Sequence, residues 1–209
     1  MAYIANTAFE VKVSNGAYNG LQNVAGKFGS FSGDTFTGAI CSAGFLVKKS
    51  KLIPCEGYAN LSTPIVNGNT WYFVADTDGS AVAGHKGDHT GIYACNTYDV
   101  HKVTSADGKM IYNLGANTLG LALPADEIGD FTELVVGEQY KFGAGNFAST
   151  PTVGQYCAIA NGLFAASSAS APDPSTDAGD VYCKVLRAEA FNEGTSLAGT
   201  GYVVEICRA

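Results

Sequence analysis

The chain has 209 residues with 26 glycines, and 19 acidic against 12 basic residues give it a formal charge of −7. This length suits one large β domain or two small ones and is too short for an enzyme with a separate cofactor domain. We expect no nucleic-acid binding, since a phosphate-binding groove needs clustered Lys and Arg, and no membrane insertion, since no apolar run approaches the ~20 residues of a span.

The start of the chain, MAYIANTAFE, lacks the basic and apolar regions of a secretory signal, so we also expect no Sec export. Residues 1–37 are rich in Gly, Asn and Ser and hold isolated aromatic residues, among them Tyr18, Phe28, Phe31 and Phe36. We interpret this segment as an extended N-terminal arm whose rings insert into a neighbouring subunit. The alternative is a looped first pair of strands whose rings fill their own core.

Period-two alternation bounded by Gly, Asn and Asp recurs along the chain, whereas sustained 3.6-residue periodicity is absent. The candidate strands are residues 8–13, 39–48, 70–76, 91–103, 109–114, 132–137, 139–144, 154–160, 181–190 and 201–208. The pattern predicts an all-β fold with very little helix, the best helix candidate being residues 124–134. We expect two small β-barrel or sandwich units, a sandwich-like domain at 38–123 and a small barrel at 124–209.

Four dipeptides are of the type that accepts the positive φ of tight hairpin turns, namely Asn67-Gly68, Asp78-Gly79, Asp107-Gly108 and Asn161-Gly162. We expect the clearest hairpin at Asp107-Gly108. Residues 164–180 combine small residues, two prolines and three aspartates, which predicts an exposed loop at one end of the second unit. Such a loop either carries contacts or is solvated without a partner.

Charge is distributed unevenly, because residues 1–110 are neutral overall and residues 111–209 carry the whole net charge. This asymmetry indicates two units that face different surroundings, with a chance distribution within one domain as the alternative.

The six cysteines are widely spaced and form no CxxC pair, which argues against a structural zinc site. They are Cys41, Cys55, Cys95, Cys157, Cys183 and Cys207. Several lie in apolar alternating stretches, where cysteine behaves as a small buried hydrophobe. We expect reduced core thiols, although an oxidising compartment would permit three disulfides.

The one histidine constellation is GHKGDHTG, where His85, Asp88 and His89 have the right types for a metal but lie in a glycine-rich connection without a helix to align them. We interpret this segment as a polar loop and predict no metal site. The run Asp76-Thr-Asp78-Gly79 resembles the opening of a calcium loop, but Gly87 stands where the EF-hand needs Glu. It predicts a tight turn instead.

No segment satisfies a cofactor or catalytic pattern in its required context. Gly143-Ala-Gly145 matches part of a dinucleotide fingerprint but opens no helix. Cys95, Asp99 and His101 share one strand face, where same-face residues are at least ~6.6 Å apart and a nucleophile needs its base within about 3 Å. We therefore predict no catalytic residues, no cofactor and no enzymatic activity.

Several segments resemble small virion proteins of tailed bacteriophages, most closely head decoration proteins. They include MAYIANTAFEVKV, NGNTWYFVADTDG, VGEQYKFGAGNF, PTVGQYCAIANGL and GTGYVVEI. The resemblance implies a non-enzymatic protein that assembles in the bacterial host cytoplasm and binds the outer surface of a capsid. Its implied partners are the major capsid protein, copies of itself or both, in a homo-oligomer for which trimers are common in that class. The arm and the neutral half would then grip the shell, and the acidic half would face solvent.

Two other classes share this composition. A phage tail or baseplate component, or a surface adhesin, would bind carbohydrate in a cleft with Trp71 and neighbouring tyrosines exposed. A short major capsid protein is less favoured, because the usual phage shell fold contains a long spine helix and the sequence predicts none.

Overall fold

The computed structural model describes residues 4, 6–13, 23–53, 70–80, 89–96, 103–104, 110–111, 122–191 and 199–209. Within these residues the secondary structure is nearly all β, with one 3₁₀ turn at Ala144–Asn146, so the prediction of an all-β fold is confirmed. The strands are β1 (Phe9–Val13), β2 (Asn23–Ser32), β3 (Thr35–Gly38), β4 (Cys41–Ser42), β5 (Leu46–Ile53), β6 (Thr70–Ala75), β7 (His89–Asn96), β8 (Val103–Thr104), β9 (Met110–Ile111), β10 (Ala122–Leu123), β11 (Gly129–Val135), β12 (Gln139–Gly143), β13 (Tyr156–Ala160), β14 (Leu163–Phe164), β15 (Val181–Ala188) and β16 (Gly201–Arg208). None of the described segments is a helix long and apolar enough to cross a membrane.

Five strands form a closed circuit of pairings, which we call the closed sheet. In this circuit β2 pairs with β6 and β11, β11 pairs with β7, and β5 joins β7 to β6. Only the β2–β6 pairing is parallel. The hairpin partner β3 continues the sheet beyond β2. A first core cluster belongs to this sheet and the short strands β4 and β10, and its buried members are Phe28, Cys41, Phe45, Val47, Phe73, Tyr93, Cys95, Leu123 and Phe131.

The remaining six-stranded sheet, which we call the open sheet, runs β1-β12-β16-β15-β13-β14 with antiparallel pairings throughout. Its buried side chains, such as Val185 and Val204, share a second core with Leu46, Ile92 and Leu134 of the closed sheet. The open sheet therefore covers one side of the closed sheet. Strands β5, β7 and β11 contribute to both cores, because side chains on opposite faces of a strand enter different ones. The contributing residues are Leu46 and Val47 on β5, Ile92 and Tyr93 on β7, and Leu134 and Phe131 on β11.

The strand pairings do not coincide with the predicted divisions after residues 37 and 123. The first strand β1 pairs with β12 in the open sheet, whereas β11 pairs with β2 and β7 in the closed sheet. Both sheets therefore combine strands from the beginning and the later part of the chain. This exchange interlocks the segments that the sequence pattern separates.

The described part of residues 1–37 is built into both sheets rather than forming a free arm. Phe9 on β1 is buried and stacks on Tyr140 with ring centres 5.7 Å apart. At the edge of the open sheet, the ammonium of Lys141 lies 3.5 Å from Glu10 and 3.3 Å from Glu189, and it donates a hydrogen bond to the carbonyl of Ala190. Packing and charge together fix β1 in the open sheet, where Phe9 fills part of the core between the two sheets.

The predicted helix at residues 124–134 is wrong. The chain makes a turn in which Asp126 has a φ of 65°, and β11 then begins at Gly129. Gly129 pairs with Gly26, and a Cβ at Gly129 would lie 2.7 Å from Cδ2 of Leu123. The glycine therefore permits a close strand contact here, and within β11 Phe131 enters the first core and Leu134 the second.

Two of the predicted tight turns are confirmed. Asn161 and Gly162 have φ values of 52° and 81° between the paired residues Ala160 and Leu163. Gly79 has a φ of 77° and donates its N–H to Asp76 Oδ2 at 3.1 Å. The flanks of Asp107-Gly108 pair as β8 and β9, although that turn itself, like Asn67-Gly68, lies outside the described residues.

The predicted loop at 164–180 is largely exposed, as expected. Backbone hydrogen bonds between Tyr156 and Ser168 in both directions hold its beginning, and a bridge from Ser80 to Asp180 holds its end. The five described cysteines are free thiols, and all but Cys207 are buried. Cys55 lies outside the described residues.

Candidate functional site

Three aromatic rings gather on the side of the closed sheet that faces away from the open sheet. The ring centre of Phe36 lies 5.2 Å from that of Phe31 and 4.6 Å from that of Tyr72, and the Phe31 and Tyr72 centres are 5.8 Å apart. All three side chains are partly exposed. Their strands β2, β3 and β6 contribute no residue to the core between the two sheets.

Strand alternation explains how this cluster forms. On β2, Gly26 and Phe28 face the interior, so Lys27 and Phe31 project from the opposite face. Phe31 pairs with Phe36 across the β2–β3 hairpin, and Lys27 pairs with Tyr72 on β6. We call Lys27, Phe31, Phe36 and Tyr72 the aromatic face.

A glycine beneath the cluster fixes the position of one ring. A Cβ at Gly29 would lie 2.6 Å from Cζ of Phe36, and it would be even closer to the carbonyl oxygen of Thr37. Any larger residue would therefore displace the Phe36 ring or open the hairpin. The cluster thus depends on the absence of a side chain at Gly29.

The structure places the four residues that were predicted to contact a partner in different environments. Phe31 and Phe36 lie together on the aromatic face, and Tyr18 lies outside the described residues. Phe28 is buried and packs edge-on against Phe45 with ring centres 5.6 Å apart, so it is a core residue and cannot reach a partner. Tyr72 was not among these four residues and was included only as a tyrosine next to Trp71 in the adhesin alternative, although alternation in TWYFVA places it on the opposite face of β6 from the core residue Phe73.

Exposed aliphatic residues border the aromatic face. Ile128 is 44% exposed and directly precedes Gly129, which pairs with Gly26 on β2. Ile40 is 37% exposed and follows the end of β3 by two residues. Together with the rings they make this end of the closed sheet apolar at its surface.

Trp71, the residue named in the adhesin alternative, projects from β6 on the same side as the core residue Phe73. It is partly buried against the core of the closed sheet, and the ammonium of Lys49 lies 4.5 Å from the centre of its ring. The same ammonium lies 4.8 Å from the ring of Tyr93, which is buried. Burial lowers the pKa of Lys49, and attraction by Glu133 partly offsets this effect.

Glu133 anchors a polar group beside Lys49. Its Oε1 accepts the N–H of Gly91 at 2.9 Å, and its Oε2 lies 3.1 Å from Nδ1 of His89. The carboxylate is buried, whereas the imidazole is half exposed. The arrangement ties β7 to β11. The other candidates of the histidine constellation, His85 and Asp88, lie outside the described residues, and the described part of the chain contains no group of three or more His, Cys, Asp or Glu that could hold a metal.

The segment after β6 uses its carboxylates to build a turn. The ammonium of Lys48 lies 2.8 Å from Oδ1 of the buried Asp76 as an ion pair, although outside hydrogen-bond geometry. Burial raises the pKa of Asp76, and Lys48 opposes this effect. Hydrogen bonds from Ser80, together with Lys48, lower the pKa of Asp78 to about 2. These internal partners account for the carboxylates that imitate a calcium loop.

Comparisons with known proteins give no relative for this chain. No protein-family model matches it, no curated protein matches it, and no solved structure matches it. The function is therefore argued from the geometry of the aromatic face and from the sequence resemblance alone.

Proposed function

We propose that the protein is a non-enzymatic virion structural protein that binds the outer surface of a phage capsid lattice as a decoration protein, using the aromatic face. The single observation that carries this proposal is the cluster of Phe31, Phe36 and Tyr72, which is partly exposed on the uncovered side of the closed sheet. Aromatic residues are enriched in the centres of protein interfaces. The proposed partners are the major capsid protein and further copies of this chain.

The cluster is also ordered before any partner binds. Phe31 and Phe36 are paired across a hairpin, and the Phe36 ring packs directly over Gly29, in space that a side chain at that position would fill. Rings that already pack together lose little conformational entropy on binding. Exposed apolar area held in one arrangement is therefore well suited to a protein partner of complementary shape.

Lys27 gives the aromatic face a charged group of the kind that protein interfaces carry at their rim. Lys27 lies beside Tyr72 on the adjacent strand, and its ammonium would meet acceptors on the partner. On a repetitive shell many modest contacts act together, so each individual interface need not bind tightly. A cluster of only three rings could therefore be sufficient for each copy of the protein.

Co-sedimentation with empty expanded capsids tests the proposal. The capsids are assembled from the major capsid protein of a tailed phage. We expect saturable, stoichiometric binding by the wild-type protein and a loss of roughly 30-fold in affinity for Phe36→Ser, as for a central aromatic interface residue. The matched control is Val153→Ser, which removes a residue 51% exposed in the turn before β13 and should bind normally.

Two results would contradict the proposal. One is equal binding by Phe36→Ser and the wild-type protein, when both unfold at the same denaturant concentration. The other is a failure to bind capsids together with selective binding to a glycan array, which would support the adhesin alternative.

A further inference from the structure

Two thiols face each other in the open sheet. Cys157 on β13 and Cys183 on β15 are direct partners in the antiparallel register, between the pairs Tyr156–Lys184 and Ala158–Tyr182. Both side chains are buried in the core between the two sheets. This is a specific juxtaposition rather than two isolated core cysteines.

The register already meets the geometric requirement for a disulfide. Directly opposite residues in antiparallel strands have Cα atoms roughly 4.5–5.5 Å apart, and disulfides join Cα atoms roughly 4.4–6.8 Å apart. Closing the bond would therefore need side-chain rotation rather than strand movement. We propose that Cys157 and Cys183 form a latent disulfide, which closes by reaction with a low-molecular-weight disulfide such as oxidised glutathione.

The chemistry balances as two thiol–disulfide exchanges. The thiolate of Cys157 attacks one sulfur of oxidised glutathione, breaking that S–S bond and releasing one glutathione thiolate. Cys183 then gives up its proton and attacks Sγ of Cys157, forming the Cys157–Cys183 bond and releasing the second glutathione. The protein loses two electrons and two protons, and the oxidised glutathione gains them as two thiols.

The surroundings of the two cysteines give them different roles in these two exchange reactions. The hydrogen bond from Cys183 lowers the pKa of Cys157, which favours its thiolate as the attacking group. Burial raises the pKa of Cys183, so this thiol stays protonated until the mixed disulfide lies beside it. The geometry makes Cys183 the resolving cysteine.

Access to the thiols comes from the edge of the sheet. On its outer side β13 pairs with β14, a strand of two residues, and with Ala165 and Ser168 of the exposed loop that follows. Local opening of this edge of the sheet, together with the exposed loop, admits small reagents without global unfolding. The resulting bond would close the base of the exposed loop at 164–180 and connect the strands that flank it.

Peptide mapping of the oxidised native protein tests the proposal. Trypsin alone leaves both thiols in the fragment 142–184, because this segment contains no Lys or Arg before Lys184, so cleavage before Asp173 by an Asp-specific protease is also needed. The folded protein is incubated with oxidised glutathione, quenched in acid, alkylated and digested with both proteases. We expect a Cys157–Cys183 linked peptide as the main product, lighter than the reduced pair by two hydrogen atoms.

The matched control is Cys207→Ala, which removes the partly exposed thiol on the neighbouring strand and should leave the linked peptide unchanged. Cys183→Ala should abolish it and leave glutathione bound to Cys157. Closure should also raise the thermal midpoint by roughly 5–10 °C, reversibly on addition of dithiothreitol. Absence of the linked peptide while Cys207 becomes glutathionylated would overturn the proposal, as would a linked species that melts below the reduced protein. Because this test does not involve capsids, its result is independent of the proposed attachment function.

Discussion

Side chains alternate in the same way on both sides of the closed sheet, but the result differs. On the covered side both sets of side chains are buried, whereas on the uncovered side one set stays at the surface. On the side covered by the open sheet, neighbouring residues such as Ile92 and Tyr93 enter two different cores, so nothing on β7 between Thr90 and Cys95 is left for solvent. On the uncovered side, Phe73 enters the core and Tyr72 remains at the surface. Of these two sides, the uncovered one keeps the partly exposed rings of Phe31, Phe36 and Tyr72 at its surface.

This difference separates residues that hold the fold from residues that are available for binding. Substitutions on the covered side should act on stability, since each side chain there fills a closed space. Substitutions on the aromatic face should act on attachment and leave the free energy of unfolding little changed. The following predictions test this division, beginning with the largest expected effect.

Deletion of residues 1–37 should abolish folding. The deletion removes β1 from the open sheet and both β2 and β3 from the closed sheet, including the buried rings of Phe9 and Phe28. We expect loss of the cooperative urea transition and of the β signal in circular dichroism. A truncated protein with a normal transition would mean that the first three strands are dispensable appendages.

Ile92→Ala should destabilise the protein by about 2–5 kcal/mol, because it leaves a cavity in the core between the sheets. The control on the uncovered side is Ile128→Ala, which should change the free energy of unfolding by no more than about 0.5 kcal/mol. Urea unfolding measures both values. Similar losses in the free energy of unfolding for the two variants would mean that residues on the uncovered side contribute to stability as much as those in the core between the sheets.

Stability should fall as the pH drops from 4.5 towards about 2, in part through Glu189. A hydrogen bond from Lys12, with further ones from Lys141 and Arg187, lowers the pKa of Glu189 from 4.5 to about 2. A carboxylate whose pKa is depressed by folding contributes its full stability above the unfolded value and loses it as the pH falls through the folded value. Glu189→Gln should therefore flatten the pH dependence of the urea midpoint in this window, whereas an unchanged slope would show that the ion pairs at β1 contribute nothing.

Lys49→Gln should have the smallest effect, a loss of about 0.5–1 kcal/mol from the contact with Trp71. Trp71 is the only tryptophan, so its fluorescence reports this position alone. We expect a changed emission spectrum for Lys49→Gln and an unchanged one for Lys184→Gln, whose ammonium lies 5.6 Å from the ring of Tyr156. Identical spectra for all three proteins would show that Lys49 does not cover the indole in solution.

The sequence predicted the fold best where alternation is regular. Strand β16 coincides with the predicted residues 201–208, and β12 and β15 lie within their predicted segments. Strands β2 and β3 were not predicted as strands, because glycines at 26 and 29 interrupt the apolar pattern. Those glycines are required by the rings of Phe73 and Phe36, which occupy the space of the missing side chains. Such contacts between distant segments leave no local signal.

The candidate site was predicted in part. Composition identified the aromatic residues of the first 37 positions, but it did not distinguish Phe28 from Phe31, which lie three residues apart on opposite faces of β2. Only the strand assignment separates them. Tyr72 joins the cluster through the parallel pairing of β2 with β6, which is a property of the tertiary structure. The role of Phe31 and Phe36 in binding stays a prediction.

The exchange of strands between the two sheets also bears on how the chain is made. The pairings of β1 with β12 and of β2 with β11 join segments more than a hundred residues apart. A ribosome therefore releases β1 and β2 long before their partners exist, and neither sheet can be completed on a half-synthesised chain. Structures dominated by such distant pairings fold slowly, and their unpaired edges are prone to aggregation meanwhile. Production of this protein should accordingly be sensitive to translation speed and to the supply of chaperones.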